Sequence, residues 1–317
     1  MRILLVKTSS LGDVVHNLPV ASDLARRFPD ASIDCVVEEG FAELPRLHPA
    51  VRRIIPVAVR RWRKSPFSAR TWHEVSAFRR LLREGHYDMV IDTQGLLKSA
   101  LIAAQADGKR VGPDPESARE PVAARFYNQR ISVPRDLHAV ERNRLLAARA
   151  FGYELDPLID YGIATPPLAA PWLPKGDYTV LLTATSRADK EWPENDWQAL
   201  GLALIATGLR CVLPGGTQPE RERAARLATS LGRAVAAPAM NLTDLAGLLA
   251  GAALVVGVDT GLVHLAAALD RPTLALYCGS DPALTGVLAG PRAINLGGSG
   301  TPPRAGEVVK QALQLLG

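Results

Sequence analysis

Asp259, Thr260 and Gly261 stand where a run of apolar, β-branched residues gives way to an amphipathic one, in LVVGVDTGLVHLAAAL (254–269). That pattern is a buried strand delivering its carboxyl end straight into a helix. The first turn of such a helix has backbone N–H groups without intrahelical partners and about half a positive charge from the macrodipole, so the corner can accept a phosphate. Gly261 allows an anion close to the backbone, and His264 falls in the first turn, at the mouth of the site. The plainer alternative is that Asp259 and Thr260 only cap the helix. A second corner of the same kind lies in RILLVKTSSLGDVVHNLP (2–19), where the strand Ile3–Val6 runs into Lys7, Thr8, Ser9 and Ser10 before Gly12 and Asp13 open a helix. Asp13 there is either an acid favoured by the helix dipole or a carboxylate at the carboxyl end of a strand, where open α/β sheets bind ligands.

Other chemistries find less support. The GxxxxGK spacing of a phosphate loop is absent, and no GxGxxG follows a strand. No GxSxG occurs, so a serine nucleophile has no elbow to sit on. The six histidines (16, 48, 73, 86, 138 and 264) form no close pair with cysteine or acid at ligand spacing. There is no Asp-x-Asp of the kind with which many sugar transferases hold a divalent ion against a diphosphate. A bound diphosphate would then be neutralised by protein cations and helix dipoles. Lys190, in the loop TSRADKEWPENDW (185–197), is the candidate cation, although a lone loop lysine is more readily a solvated one.

The elements that must position these residues alternate between strand and helix patterns, which predicts an α/β fold with parallel sheets covered by helices. Strands are predicted near 2–6, 32–37, 88–92, 179–183, 210–213, 254–258 and 273–277. At 317 residues the chain exceeds the size at which one core keeps growing, so two domains are expected. A helix-like run, HAVERNRLLAARAFG (138–152), precedes a stretch at 155–178 with five prolines, which deny it helix or central strand. The expected division is therefore a domain over 1–155, a linker over 156–175 and a second domain over 176–317.

Charge divides unequally across that linker. Residues 1–155 carry 25 lysines and arginines against 18 acids, and residues 156–317 carry 12 against 14. A basic first half beside a nearly neutral second half points to an anionic partner for the first domain. The sharpest feature is VRRWRK (59–64), which sets Arg60, Arg61, Arg63 and Lys64 around Trp62 without helical spacing to distribute them. Trp62 either rests at a membrane interface or covers a loop. Aromatic residues make up only 5% of the chain, so no stacking platform accompanies the cations and nucleic acid is not the expected partner. Cys35, Cys211 and Cys278 lie far apart in predicted strands or at their ends, which suits buried thiols in a reducing compartment. The longest apolar stretch, 245–258, is too short to span a bilayer. The N-terminus has no cleavage pattern and reads as a first strand, not a signal peptide.

With both corners and the basic cluster in view, the chain resembles the bacterial ADP-heptose:lipopolysaccharide heptosyltransferases over nearly its whole length. The blocks that carry the resemblance are KTSSLGDVVHNLP (7–19), VVEEGFAELPRLHPAV (36–51), RRWRK (60–64), YDMVIDTQGLLKSA (87–100), AREPVA (118–123) and VDTGLVHLAAALDRPT (258–273). Of these, RRWRK points to the member that adds the first heptose. The resemblance implies a GT-B fold, two Rossmann-like parallel-sheet domains facing a central cleft, with the acceptor on the first and the nucleotide-sugar donor on the second. It implies inverting, metal-independent transfer of heptose from ADP-heptose to the Kdo region of Kdo2-lipid A. No cofactor beyond the donor substrate is implied, and the place of action is the cytoplasmic face of the inner membrane.

Carried over by position, Asp13 matches the catalytic base. Thr185, Ser186 and Lys190 match the loop that holds the donor phosphates, with Lys190 also taking a catalytic role. Glu220 matches an acid that binds the donor ribose, Met240 a residue lining the adenosine pocket, and Asp259, Thr260, Gly261 and His264 the nucleotide corner. On the acceptor side the match adds Lys7, Lys98 and Arg119 to Arg60, Arg61, Arg63 and Lys64. Ser186 stands where relatives usually carry threonine, and Gly215 where many carry tryptophan, which implies a more open rim to the nucleotide pocket. The alternatives are another GT-B member (a later heptosyltransferase or a nucleotide-sugar epimerase) and a two-lobed sugar-binding protein.

Overall fold

The structure, a computed structural model, describes residues 1–317. The chain forms two compact units, Met1–Ile163 and Ala164–Gly317. The proline-rich stretch is therefore shared between them. Its first part belongs to the first unit, where Arg26 pairs with Asp156 and Asp160. Its second part belongs to the other unit, where Leu168 N donates to Gly247 O at 2.9 Å.

The first unit runs β1 (Arg2–Val6), α1 (Leu11–Val15), α2 (Leu18–Arg27), β2 (Ser32–Glu38), β3 (Val51–Val57), α3 (Val59–Trp62), α4 (Ala69–Arg83), β4 (Met89–Asp92), α5 (Leu97–Ala103), β5 (Lys109–Pro113), β6 (Gln129–Ile131) and α6 (Ala139–Phe151). The second runs β7 (Tyr178–Leu182), α7 (Glu194–Ala206), β8 (Arg210–Leu213), α8 (Gln218–Leu231), β9 (Ala234–Ala236), α9 (Leu242–Ala250), β10 (Leu254–Val258), α10 (Gly261–Ala268), β11 (Thr273–Tyr277), β12 (Ala293–Gly297) and α11 (Ala305–Leu316). No helix is long and apolar enough to cross a membrane.

Each unit holds one six-stranded sheet, ordered β3-β2-β1-β4-β5-β6 in the first and β12-β11-β10-β7-β8-β9 in the second. Every pairing between these strands is parallel. Read from its own first strand, each sheet has the doubly wound order 3-2-1-4-5-6. The reason is visible in β1. Ile3 and Leu5 enter one apolar cluster while Leu4 and Val6 enter another, so both faces are covered and the strand is apolar throughout.

That strand order decides where ligands can sit. The order in which strands are laid down reverses between β1 and β4 in the first sheet, and between β7 and β10 in the second. At such switch points the loops leaving adjacent strands part and open a crevice at the carboxyl ends. The loops in question are those after Val6 and Asp92 in one unit and after Leu182 and Val258 in the other. Both corners singled out in the sequence lie at these two points.

The seven predicted strands are all present, and five more appear. Of those five, β3, β6, β9 and β12 are sheet edges. An edge has one flank in solvent and tolerates polar residues and proline, as in VRRIIPV of β3.

Candidate functional site

In the first unit, the loop after β1 is held by the loop after β4. Thr8 donates to Gln94 Oε1 from both its N–H and its hydroxyl, each at 2.7 Å, and Gln94 Nε2 returns a bond to Ser9 O at 2.7 Å. Gln94 is fixed in turn by Asp92, whose Oδ1 accepts from the N–H groups of Gln94 and Gly95 while its Oδ2 accepts from Tyr127. Burial pushes the Asp92 carboxyl above its ordinary range, opposed by these hydrogen bonds.

Asp13 projects from the first turn of α1 beyond this clamp. Its Oδ2 accepts from Ser10 N at 2.7 Å and Ser10 Oγ at 3.2 Å, and Arg119 Nη1 lies 3.8 Å away. Asp13 thus closes a capping box with Ser10, and these contacts all fall on Oδ2. Around the carboxylate the chain gathers positive charge. Lys98 Nζ donates to Ser9 Oγ at 2.8 Å, and its pKa is lowered by burial amid the charges of Glu38, Arg60, Asp13 and Arg119. Arg142, which sequence reasoning left inside a helix pattern, is half-buried near Asp13, Arg119 and Arg135.

Lys7 is placed differently from its expectation as an acceptor-binding cation. It is buried, and its Nζ donates to Thr93 O at 2.9 Å and Asn143 Oδ1 at 3.3 Å. It braces the switch point from beneath because these partners surround it. Burial pulls its pKa from 10.5 to about 8, against the opposing pull of Asp13 and Asp92. The unfolded chain keeps that proton to the ordinary lysine value. Between about pH 8 and 10.5 the unfolded state therefore binds more protons, and stability rises with pH. Lys7→Met should flatten this part of the pH–stability profile. Equal slopes for parent and variant between pH 8 and 10 would contradict the assignment.

In the second unit, Thr185, Lys190, Asp259 and His264 converge. Lys190 Nζ donates to Asp259 Oδ2 at 2.5 Å, and Thr185 Oγ1 donates to Asp259 O at 3.0 Å. His264 Nε2 lies 3.9 Å from Asp259 Oδ1. Ser280, which sequence reasoning missed, donates to Asp259 Oδ2 at 2.6 Å. It arrives from beyond β11, and nothing in its local sequence marks it. Gly279 lets this loop lie against the Lys190 loop, since a Cβ there would stand 2.6 Å from Asp189 O. Burial raises the Asp259 carboxyl, but the interactions with His264, Lys190 and Ser280 outweigh it and hold the group well below the usual carboxylate range.

The plain capping reading of this corner does not hold. Thr260 is the N-cap of α10, yet its side chain makes no capping bond, and the Asp259 carboxylate is turned to Lys190 and Ser280. The first amides of α10, beginning at Gly261, receive no side-chain cap from Thr260, and such a helix start can accept an anion. Ser186 is exposed beside Thr185, and Met240 is half-buried just before α9. Glu220 closes the capping box of α8, its Oε2 accepting from Gly216 N at 2.8 Å and Thr217 N at 2.9 Å. A cleft of about 470 Å³ joins Thr185 and Glu220 and is also lined by Trp192 and Arg223. At Gly215 the backbone runs close to the start of α8, where a Cβ would meet Arg221 N at 2.7 Å, so a side chain fits there only if the backbone shifts.

The basic cluster also departs from expectation. Residues 59–62 form one helical turn, and Arg61 is shared between Glu39 and Glu74 at 2.9 and 2.7 Å. Trp62 donates its indole N–H to Glu74 at 2.8 Å and packs edge-on against Phe78. Hydrogen bonds from Trp62, Arg70 and Arg61 hold Glu74 down to about 2. Trp62 therefore covers the core, and Arg61 is a tie, not a free cation. Arg60, Arg63 and Lys64 remain exposed. No group of three or more histidine, cysteine or acidic side chains is placed to hold a metal ion.

Residues 75–311 match glycosyltransferase family 9 (heptosyltransferase). The chain belongs to glycosyltransferase family 9. This family 9 glycosyltransferase is 49% identical over 288 residues to lipopolysaccharide heptosyltransferase 1 of Escherichia coli (strain K12), covering 90% of each chain. It is similar in structure to E. coli heptosyltransferase WaaC with ADP, with a TM-score of 0.91 and 44% identity over 99% of this chain and 98% of that one. The same enzyme with ADP-2-deoxy-2-fluoro heptose gives a TM-score of 0.88 over the same shares. The two parallel six-stranded sheets are those of the GT-B fold.

Proposed function

We propose that this glycosyltransferase transfers L-glycero-D-manno-heptose from ADP-heptose to the Kdo region of Kdo2-lipid A, with inversion and without a metal ion. The place of action is the cytoplasmic face of the inner membrane, where lipopolysaccharide inner-core synthesis requires it. The observation that carries this reading is the likeness over nearly the full chain to a solved heptosyltransferase holding a fluorinated ADP-heptose. The chemistry at the two switch points fits it. The acceptor hydroxyl oxygen forms the bond to the anomeric carbon while the bond to the diphosphate breaks, and its electron pair leaves with ADP. The hydroxyl proton passes to Asp13. Lys190 and the amides at the start of α10 meet the negative charge that grows on the leaving diphosphate, which stabilises the transition state more than the ground state.

Thr185, Ser186, Glu220, Met240, Thr260, Gly261 and His264 bind the donor in this reading. Asp259 positions Lys190. Release of ADP should require donor and acceptor together. Release from the donor alone at the full rate would fit a hydrolase, and change of donor stereochemistry without acceptor would fit an epimerase.

Arg60, Arg63, Lys64, Lys98 and Arg119 hold the carboxylates and phosphates of the acceptor, for which arginine's planar fork is suited. Because Arg61 is tied to Glu39 and Glu74, the cleaner test neutralises Arg60, Arg63 and Lys64 together. Acceptor KM should rise about tenfold or more, from the loss of charge-assisted hydrogen bonds, and its salt dependence should flatten. The Kd for ADP should stay within about twofold, since those residues belong to the other unit. A loss of ADP affinity with acceptor KM unchanged would contradict this division of labour.

A further inference from the structure

Phe67 is 95% exposed and Trp72 is 63% exposed, at the start of α4. They do not stand alone. Residues 59–84 hold eight arginines and lysines against two glutamates, and one of the two, Glu74, is taken up by Arg61, Arg70 and Trp62. Helix α4 buries Thr71, Phe78 and Leu82, while Trp72, Arg79, Arg80 and Arg83 line one open groove along its exposed flank together with Glu84, which lies 4.0 Å from Arg80 Nε. Nothing in the first unit covers this face.

We infer that the exposed flank of α4, with Trp72 and the exposed Phe67 in the turn just before the helix as apolar contacts and Arg79, Arg80 and Arg83 as cations, docks the enzyme on an anionic phospholipid bilayer. A bilayer offers both things the face lacks. Its interfacial zone takes aromatic rings with an apolar body and a polar edge, and its phosphates take arginines lying in the same plane. A surface that was acidic alone would satisfy the arginines but leave Phe67 in water. The role that the sequence suggested for Trp62 thus passes to Trp72, ten residues on. Arg60, Arg63 and Lys64, also exposed, lie on the segment leading into α4 and so stay close in the chain to the docked face. The inference deepens the proposed function, yet the binding itself needs neither donor nor acceptor.

The test is sedimentation of the full chain with vesicles of phosphatidylglycerol and phosphatidylcholine, compared with phosphatidylcholine alone. The parent should bind the mixed vesicles, less well as salt rises, and bind the neutral ones weakly. Two variants, Phe67→Ser with Trp72→Ser, and Arg79→Gln with Arg80→Gln and Arg83→Gln, should each lower partition about tenfold or more. All five positions are exposed, so both variants should melt with the parent. They should also transfer heptose to a deacylated, water-soluble acceptor at the parent's rate. Parent-like vesicle binding by either variant, or failure of the parent to bind anionic vesicles, would overturn the inference. Loss of vesicle binding in the variants would sustain it even if no transfer to the soluble acceptor were seen, a result that would count against the proposed reaction alone.

Discussion

Asp13→Asn should lower turnover by roughly 10²–10⁴-fold, the usual contribution of a positioned acid or base, while ADP binds as in the parent. Asparagine keeps the shape and can still accept from Ser10 through its carbonyl, so the capping box at the head of α1 survives in part. What it cannot do is take a proton. The contacts from Ser10 and Arg119 fall on Oδ2, so the proposed proton acceptor is the other oxygen. Asp13→Ala would remove cap and base together and confuse the two, which is why the isosteric change is the informative one. Turnover within a few-fold of the parent, at unchanged stability, would show that Asp13 serves only the helix.

Lys190→Ala should have the largest effect on the donor side, weakening ADP about 10²-fold and slowing transfer as well. The size follows from what is left behind. Lys190 and Asp259 are mostly buried partners, and removing the lysine leaves an uncompensated carboxylate beside the place of the diphosphate. Asp259 would then repel the ligand it helped to bind. The double variant Lys190→Ala with Asp259→Asn should accordingly bind ADP better than Lys190→Ala alone. If the second change restores nothing, the two residues do not act as the coupled pair that the 2.5 Å contact suggests.

The parts of this molecule that could be read from sequence are those whose physics is local. Strands β1, β2, β4, β7, β8, β10 and β11 lie inside their sheets, so both faces are buried and their residues form apolar runs. The edges β3, β6, β9 and β12 carry no such run, and β5, though interior, is the short KRVGP. Asp13 and the Asp259-Thr260-Gly261 corner were legible because a strand end and a helix start are adjacent in sequence. Gln94, Asp92 and Ser280 were not, because each reaches its partner across the sheet. Gln94 meets Thr8 from 86 positions away and Ser280 meets Asp259 from 21. Lys7 shows the limit from the other side. Its place at the first strand's end was evident, but only the surrounding Thr93 and Asn143 reveal that it points inward. Among the cations of 59–64, spacing alone could not separate Arg61, bound by two glutamates, from Arg60, Arg63 and Lys64.

The most direct test is the mass and linkage of the product formed from ADP-heptose and deacylated Kdo2-lipid A with EDTA present. One heptose unit should be added to the acceptor for each ADP released. The new linkage should have the anomeric configuration opposite to the donor's, and Asp13→Asn should yield almost none of it. An acceptor of unchanged mass, a product formed only when a divalent ion is restored, or a linkage that retains the donor's configuration would contradict an inverting, metal-free transfer driven by Asp13 and the Lys190–Asp259 corner.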